Sequence, residues 1–183
     1  MGADKLTVAD SVVLSMLAEQ PMHGYELWAE LVRREVQEWA SISKPQAYYS
    51  LNKLAVAGYI EPATDDDPAF GPDRRVFRPT PDGRRGLADT LARADWATRM
   101  TPSPFTTWMV ISWQARPRDF AAQVARRRRF LHDKLELERR ALEEIITETS
   151  PTSDAAMTVR LAIRQQEVEL AWLDDVERRQ RPG

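Results

Sequence analysis

The chain has 183 residues, with 26 Lys or Arg against 28 Asp or Glu for a formal charge of −2, and it contains no cysteine. Disulfides, thiolate metal sites and cysteine nucleophiles are therefore excluded, while 43% apolar and 30% charged residues describe a chain that folds around a core. Its two histidines, His23 and His132, lie far apart, and it has no phosphate-cradling glycine loop or nucleophile elbow; the sequence predicts no catalytic centre, no metal and no cofactor.

Residues 1–83 mix short helical patterns with turn signals, whereas 84–183 are nearly all helical in pattern. Val8 to Glu19 reads as a helix with Val12, Val13, Met16 and Leu17 on its buried side, stopped by Gln20-Pro-Met-His-Gly24. A second helix carries Tyr25, Trp28, Leu31, Val32, Val36 and Trp39 at spacings of three and four. Ser43 before Lys44-Pro45 is a good N-cap and first turn for a third helix running to about Ala57, where Gly58 supplies the left-handed cap. Tyr59-Ile60-Glu61 and Val76-Phe77-Arg78 are short β-like runs joined by a polar loop, and they predict a hairpin.

Three helices followed by a two-stranded hairpin is the order of a winged helix, whose third helix enters the DNA major groove. On a wheel at about 100° per residue, Ala47, Tyr48, Leu51, Leu54 and Ala55 fall on one side of the third helix. Gln46, Tyr49, Ser50 and Lys53 fall opposite, with Asn52 flanking. That polar side is predicted to meet base edges and phosphates. Ser43 and Lys44 are placed to hold phosphate at the helix start, where backbone N–H groups point. Arg74, Arg75 and Arg78 put cations on the wing. Against this, residues 1–80 hold eight Lys or Arg and twelve Asp or Glu, a net of −4, where a DNA-binding domain usually shows a basic footprint.

Three segments carry a resemblance. Val13 to Leu27, above all His23-Gly24-Tyr25-Glu26-Leu27, resembles the opening of the PadR family of bacterial transcriptional regulators. Tyr48 to Ile60 resembles the family's third helix and its exit. Arg75 to Arg84 resembles the second wing strand and the Thr-x-x-Gly that starts the next helix. The resemblance implies a winged-helix repressor that dimerises through C-terminal helices, many such proteins releasing DNA when a small aromatic effector binds. Two departures stand out: Pro79 at the strand end, and the acidic wing tip Asp65-Asp66-Asp67, which is kept out of the DNA contacts.

From about residue 100 onward, length and helicity resemble the longer C-terminal domain of one PadR subgroup. Arg118 to Glu148 reads as one helix with Phe120, Val124, Leu131, Leu135, Leu142, Ile145 and Ile146 in a single stripe, which calls for another helix. The Arg126–Arg129 run is expected to pair within the helix, with Asp133 and nearby acids. Ser153 to about Arg179 carries two stripes, one of Met157, Leu161, Val168 and Trp172, the other of Val159, Ile163, Leu170 and Leu173. One faces the preceding helix and the other a twin subunit, with Leu131, Leu135, Leu142, Leu161, Val168 and Trp172 as the dimerisation set. Trp96, Trp108, Trp113 and Trp172 are placed to line an aromatic effector pocket. No apolar run approaches the ~20 residues of a membrane span, and the first residues lack a secretory leader's apolar stretch.

The expectation is thus a mainly α, cytoplasmic, homodimeric transcriptional regulator. A winged helix-turn-helix over 1–99 would bind double-stranded DNA at a pseudo-palindromic operator. An antiparallel helical domain over 100–183 would hold the twin and a small aromatic or apolar effector. The alternative is a protein-binding winged helix that uses its acidic surface and never touches DNA.

Overall fold

Residues 6–63 and 75–180 are described by a computed structural model, in which the chain forms two units, Met1–Arg99 and Met100–Gly183. The first unit begins with α1 (Val8–Glu19), held at its start by a capping box: the Asp10 N–H donates to Thr7 Oγ1 and the Thr7 N–H to Asp10 Oδ2. α2 (Gly24–Arg33) is entered through His23, whose N–H donates to Glu26 Oε2 at 2.8 Å. A Cβ on Gly24 would meet the Leu51 and Tyr48 side chains at 3.3 and 3.4 Å, so a hydrogen there lets α2 close on the next long helix.

The second predicted helix is interrupted. Glu35 adopts a left-handed conformation (φ 51°) and a short α3 (Val36–Ala40) follows. Arg34 anchors the break, bonding Glu30 at 2.6 Å and Glu19 on α1 at 2.7 Å. The turn drives Val36 into the core and leaves Val32 and Trp39 exposed. α4 (Lys44–Val56) is the predicted third helix; it ends through Gly58 at φ 74°.

β1 (Ile60–Pro62) pairs antiparallel with β2 (Phe77–Pro79) in the register Ile60↔Pro79, Glu61↔Arg78, Pro62↔Phe77. Pro79 is tolerated because it ends its strand. Met22 adds a bridge to the other side of Phe77. Leu14, Leu17, Leu27, Leu31, Leu51, Leu54, Ile60 and Phe77 form one core beneath α1, α2, α4 and the wing base. α5 (Pro81–Leu91) leaves the wing through Thr80, whose hydroxyl donates to Gly58 O at 2.8 Å and accepts from the Gly83 N–H at 3.0 Å. A Cβ on Gly83 would lie 2.0 Å from Tyr59 O, which only glycine avoids. α6 (Asp95–Thr98) closes the unit.

The second unit holds α7 (Pro104–Ile111), a 3₁₀ turn (Ser112–Gln114) and two long helices, α8 (Pro117–Glu148) and α9 (Asp154–Gln180). α8 and α9 fold back on each other as an antiparallel hairpin. Phe120, Val124, Leu131 and Leu173 form its core, with Phe105, Trp108 and Leu170 packed around them. Leu131 and Leu135 are buried within the one chain, because α9 of the same chain covers the α8 stripe. They are therefore core residues, and the dimerisation role expected for them is corrected. The arginine run likewise pairs between helices. Arg127 grips Glu169 with two bonds of 2.7 and 2.8 Å, and Arg128 reaches Asp174 at 2.8 Å and Glu177 at 3.2 Å. The antiparallel partner offers Arg127 a carboxylate in bidentate geometry. Burial works against the Arg128 charge, yet the two carboxylates raise its pKa above the ordinary arginine value.

Candidate nucleic-acid interface

α4 presents a surface free of carboxylates: its sequence holds Lys44 and Lys53 and neither Asp nor Glu. Its inward side is Ala47, Ser50, Leu51 and Leu54. Its most outward residues are Pro45, Tyr49, Asn52 and Val56, spanning an arc of about 60° at 100° per residue. Tyr49 is 71% exposed and Val56 91%.

This centre lies about 80° around the helix from the side predicted by the wheel, and Ser50 marks the difference. Only 2% exposed, it faces inward because its hydroxyl hydrogen-bonds the carboxylate of Asp10 on α1; a buried hydroxyl needs such a partner. Ser50 is accordingly withdrawn from the predicted DNA contacts. Lys53 is half-turned to the same group, its Nζ 2.8 Å from Asp10 Oδ2. Asp10 is 1% exposed. Burial pushes its carboxyl up, but Lys53, the Thr7 N–H and Ser50 together hold it below the ordinary carboxylate value. Lys53 therefore fastens α4 to α1, which the sequence reading did not anticipate.

The remaining predicted residues fall as follows. Ser43 is exposed at the helix start, with its N–H and hydroxyl both donating to Gln46 Oε1 at 2.8 and 2.9 Å. Gln46 thus spends its carbonyl on the cap and keeps its NH₂ outward-facing. Lys44 is exposed, its ammonium 6.0 Å from the Tyr48 ring centroid. On the wing, Arg78 is exposed and its Nε bonds Glu61 Oε1 across the ladder at 3.0 Å. Arg75 is half-buried at the wing base. Arg74 and the acidic tip 65–67 lie outside the described residues.

Several of the described acids of this unit are occupied elsewhere. Asp10 holds Lys53, Glu26 caps α2 and Glu61 holds Arg78. Glu30 binds Arg33 and Arg34, which lower its pKa to about 2 against the opposing effect of burial.

The four tryptophans divide between the units. Trp96 in the first donates its Nε1–H to Thr90 O at 2.7 Å. In the second, Trp108 stacks on Phe105 at 5.3 Å and meets Phe120 at 5.5 Å, while Trp172 sets its edge to Phe105 at 6.3 Å. Trp113 is 80% exposed. Trp108 is thus wedged among core rings.

Residues 13–89 match the family model described as Transcriptional regulator PadR-like family. Over those residues the chain is similar to PadR-like transcriptional regulators. Comparison with curated protein sequences gives no match. Among solved structures, Bacillus subtilis PadR in complex with operator DNA aligns with a TM-score of 0.76 at 18% identity, over 94% of this chain and 97% of that one. The same protein in complex with p-coumaric acid gives 0.70 at 18% identity, over 93% and 96%. The Vibrio cholerae virulence activator AphA gives 0.71 at 18% identity, over 92% and 95%. At these identities the likeness establishes the fold: a winged helix followed by a long helical C-terminal part, as in the longer PadR-like proteins. Among the described residues no helix is long and apolar enough to cross a membrane.

Proposed function

We propose that this PadR-like regulator is a cytoplasmic, homodimeric repressor that binds a pseudo-palindromic operator through one α4 from each copy. The carboxylate-free, outward-facing surface of α4 carries this reading. Lys44 and the NH₂ of Gln46 supply donors at the start of α4, where Ser43 orients Gln46 as its cap, with Tyr49 on the exposed side. Arg75 and Arg78 follow the backbone from the wing. Arg78 leaves Glu61 for a phosphate at little cost, because both side chains of that pair are exposed. That a protein of the same fold was solved in complex with operator DNA supports a DNA-binding role.

Pairing of two copies is supported by α9. Met157, Leu161, Val168 and Trp172 share an arc of about 60° on the side away from Leu170 and Leu173, and all four are exposed, Val168 at 70%. A stripe of this kind on a helix already packed on its other side calls for a second copy, and Leu142, in the α8 stripe that faces α9, stands outside it. A small aromatic effector is proposed by analogy with the p-coumaric acid complex, and the aromatic group around Phe105 and Trp172 is the place to look for it. The deciding experiment is selection of binding sites from random double-stranded DNA, followed by affinity measurement at two salt concentrations. Enrichment of an inverted repeat with half-sites one helical turn apart, ~34 Å, is the expected result. Absence of any enriched sequence at low salt would favour a protein-binding module.

A further inference from the structure

Resting on the DNA-binding reading above, we infer that Asn52 and Val56 form a reader for an A·T base pair: Asn52 bonds the adenine edge and Val56 contacts the methyl group of the thymine. No other residues on the exposed arc of α4 combine an amide with an adjoining apolar surface. Asn52 is exposed, Tyr49 precedes it by three residues and Val56 follows it by four, so all three are neighbours on one helix face. They edge a shallow cleft of about 380 Å³ whose walls include Leu6, Leu54 and Tyr59 and whose surface is mostly apolar.

A 91% exposed valine has no role in the core of its own unit. An asparagine beside it has a donor and an acceptor at a fixed spacing, which matches the N6–H and N7 of adenine in the major groove. Thymine alone offers an apolar group, its C5-methyl, in that groove. The amide and the apolar surface are therefore complementary to the two halves of the same base pair. Lysine or arginine, the usual partners of guanine, are missing from this arc: Lys44 lies at the helix start, and Lys53 is turned to Asp10.

The test uses the full-length protein and the sequence selected by the wild type. Each adenine in a half-site is replaced in turn by 7-deazaadenine, which lacks N7, and each thymine by uracil, which lacks the methyl. For the wild type, one 7-deazaadenine per half-site should weaken binding about tenfold or more, and one uracil about three- to fivefold. In Asn52→Ala the first penalty should vanish, and in Val56→Ala the second. Both side chains are exposed, so thermal melts should confirm that the variants stay folded. If the wild type selects a sequence but its 7-deazaadenine penalty persists in Asn52→Ala, this assignment fails while the DNA-binding reading stands. If Val56→Ala dissociates the dimer and leaves the uracil penalty intact, Val56 is a protein contact and the assignment also fails. If the wild type selects no sequence, both fall.

Discussion

Lys53→Met removes the ammonium that lies 2.8 Å from Asp10 Oδ2 and keeps most of the aliphatic stem. The carboxylate left behind is 1% exposed and retains only Thr7 and Ser50 as partners. Stranding one half of a fully buried ion pair costs about 3–5 kcal/mol. Lys53 keeps 25% of its side-chain surface, so the wild-type pair is incompletely desolvated and the expected loss is about 2–3 kcal/mol. For a unit of this size that corresponds to a fall in Tm of roughly 10–20 °C, read by calorimetry on the first unit's transition in the full chain. The pH dependence separates this cause from lost packing. In the wild type Asp10 has a folded pKa below its unfolded value, so its contribution is present above about pH 4 and is lost as pH falls through the folded value. In the variant the folded pKa moves up. The stability gap between the two proteins should therefore be widest near neutrality and should narrow as pH falls from the variant's raised folded value through the wild type's lowered one. Asp10→Asn combined with Lys53→Met should recover much of the loss, because the buried charge is gone. A gap that is the same at pH 7 and pH 3, or a double variant no better than the single, would refute the ion pair as the cause.

Gly83→Ala places a methyl 2.0 Å from Tyr59 O and forces backbone apart at the joint of wing and α5; a loss of about 2 kcal/mol or more is expected in denaturant titration. Arg127→Met unzips the bidentate contact to Glu169 and takes the guanidinium from between the Phe105 and Phe130 rings; about 1–2 kcal/mol should be lost from the second unit. Val168→Glu puts a charge into the exposed α9 stripe, and light scattering should then find a monomer whose helix content is unchanged.

The winged-helix order, the cap at Ser43 and the left-handed Gly58 were legible because each follows from local chain chemistry, whereas the Thr80–Gly83 joint was legible through the family resemblance alone. Two things were not. Val32, Val36 and Trp39 keep spacings of four and three across the break at Glu35, so periodicity is blind to one left-handed residue stabilised by Arg34 reaching Glu19. The rotation of α4 was missed because Tyr48 and Ala55 were weighted equally with Ala47, Leu51 and Leu54. The first two are only half-buried and the last three are buried. Opposite those three alone lie Tyr49 and Val56. Ser50 could not be assigned inward without knowing that Asp10, forty residues earlier in sequence, stands behind it. Asp10 itself stands in the first turn of α1, a position that gives no hint of a long-range lysine.

An acidic winged helix must still meet a polyanion. The net of −4 over residues 1–80 overstates the repulsion at the groove, because α4 carries no acid. It does limit how many phosphates each copy can neutralise. With Lys53 turned to Asp10, the cations proposed for the backbone are Lys44, Arg75 and Arg78. Two copies then neutralise about six phosphates, and log K should fall with log salt at a slope of about −5. Lys44→Ala should flatten that slope by about two in the dimer, one for each copy. Lys53→Met should weaken binding by loosening α4 while leaving the slope where it was. A slope that responds to Lys53 as it does to Lys44 would mean that Lys53 leaves Asp10 to reach a phosphate, and the ion pair would then belong only to the DNA-free protein.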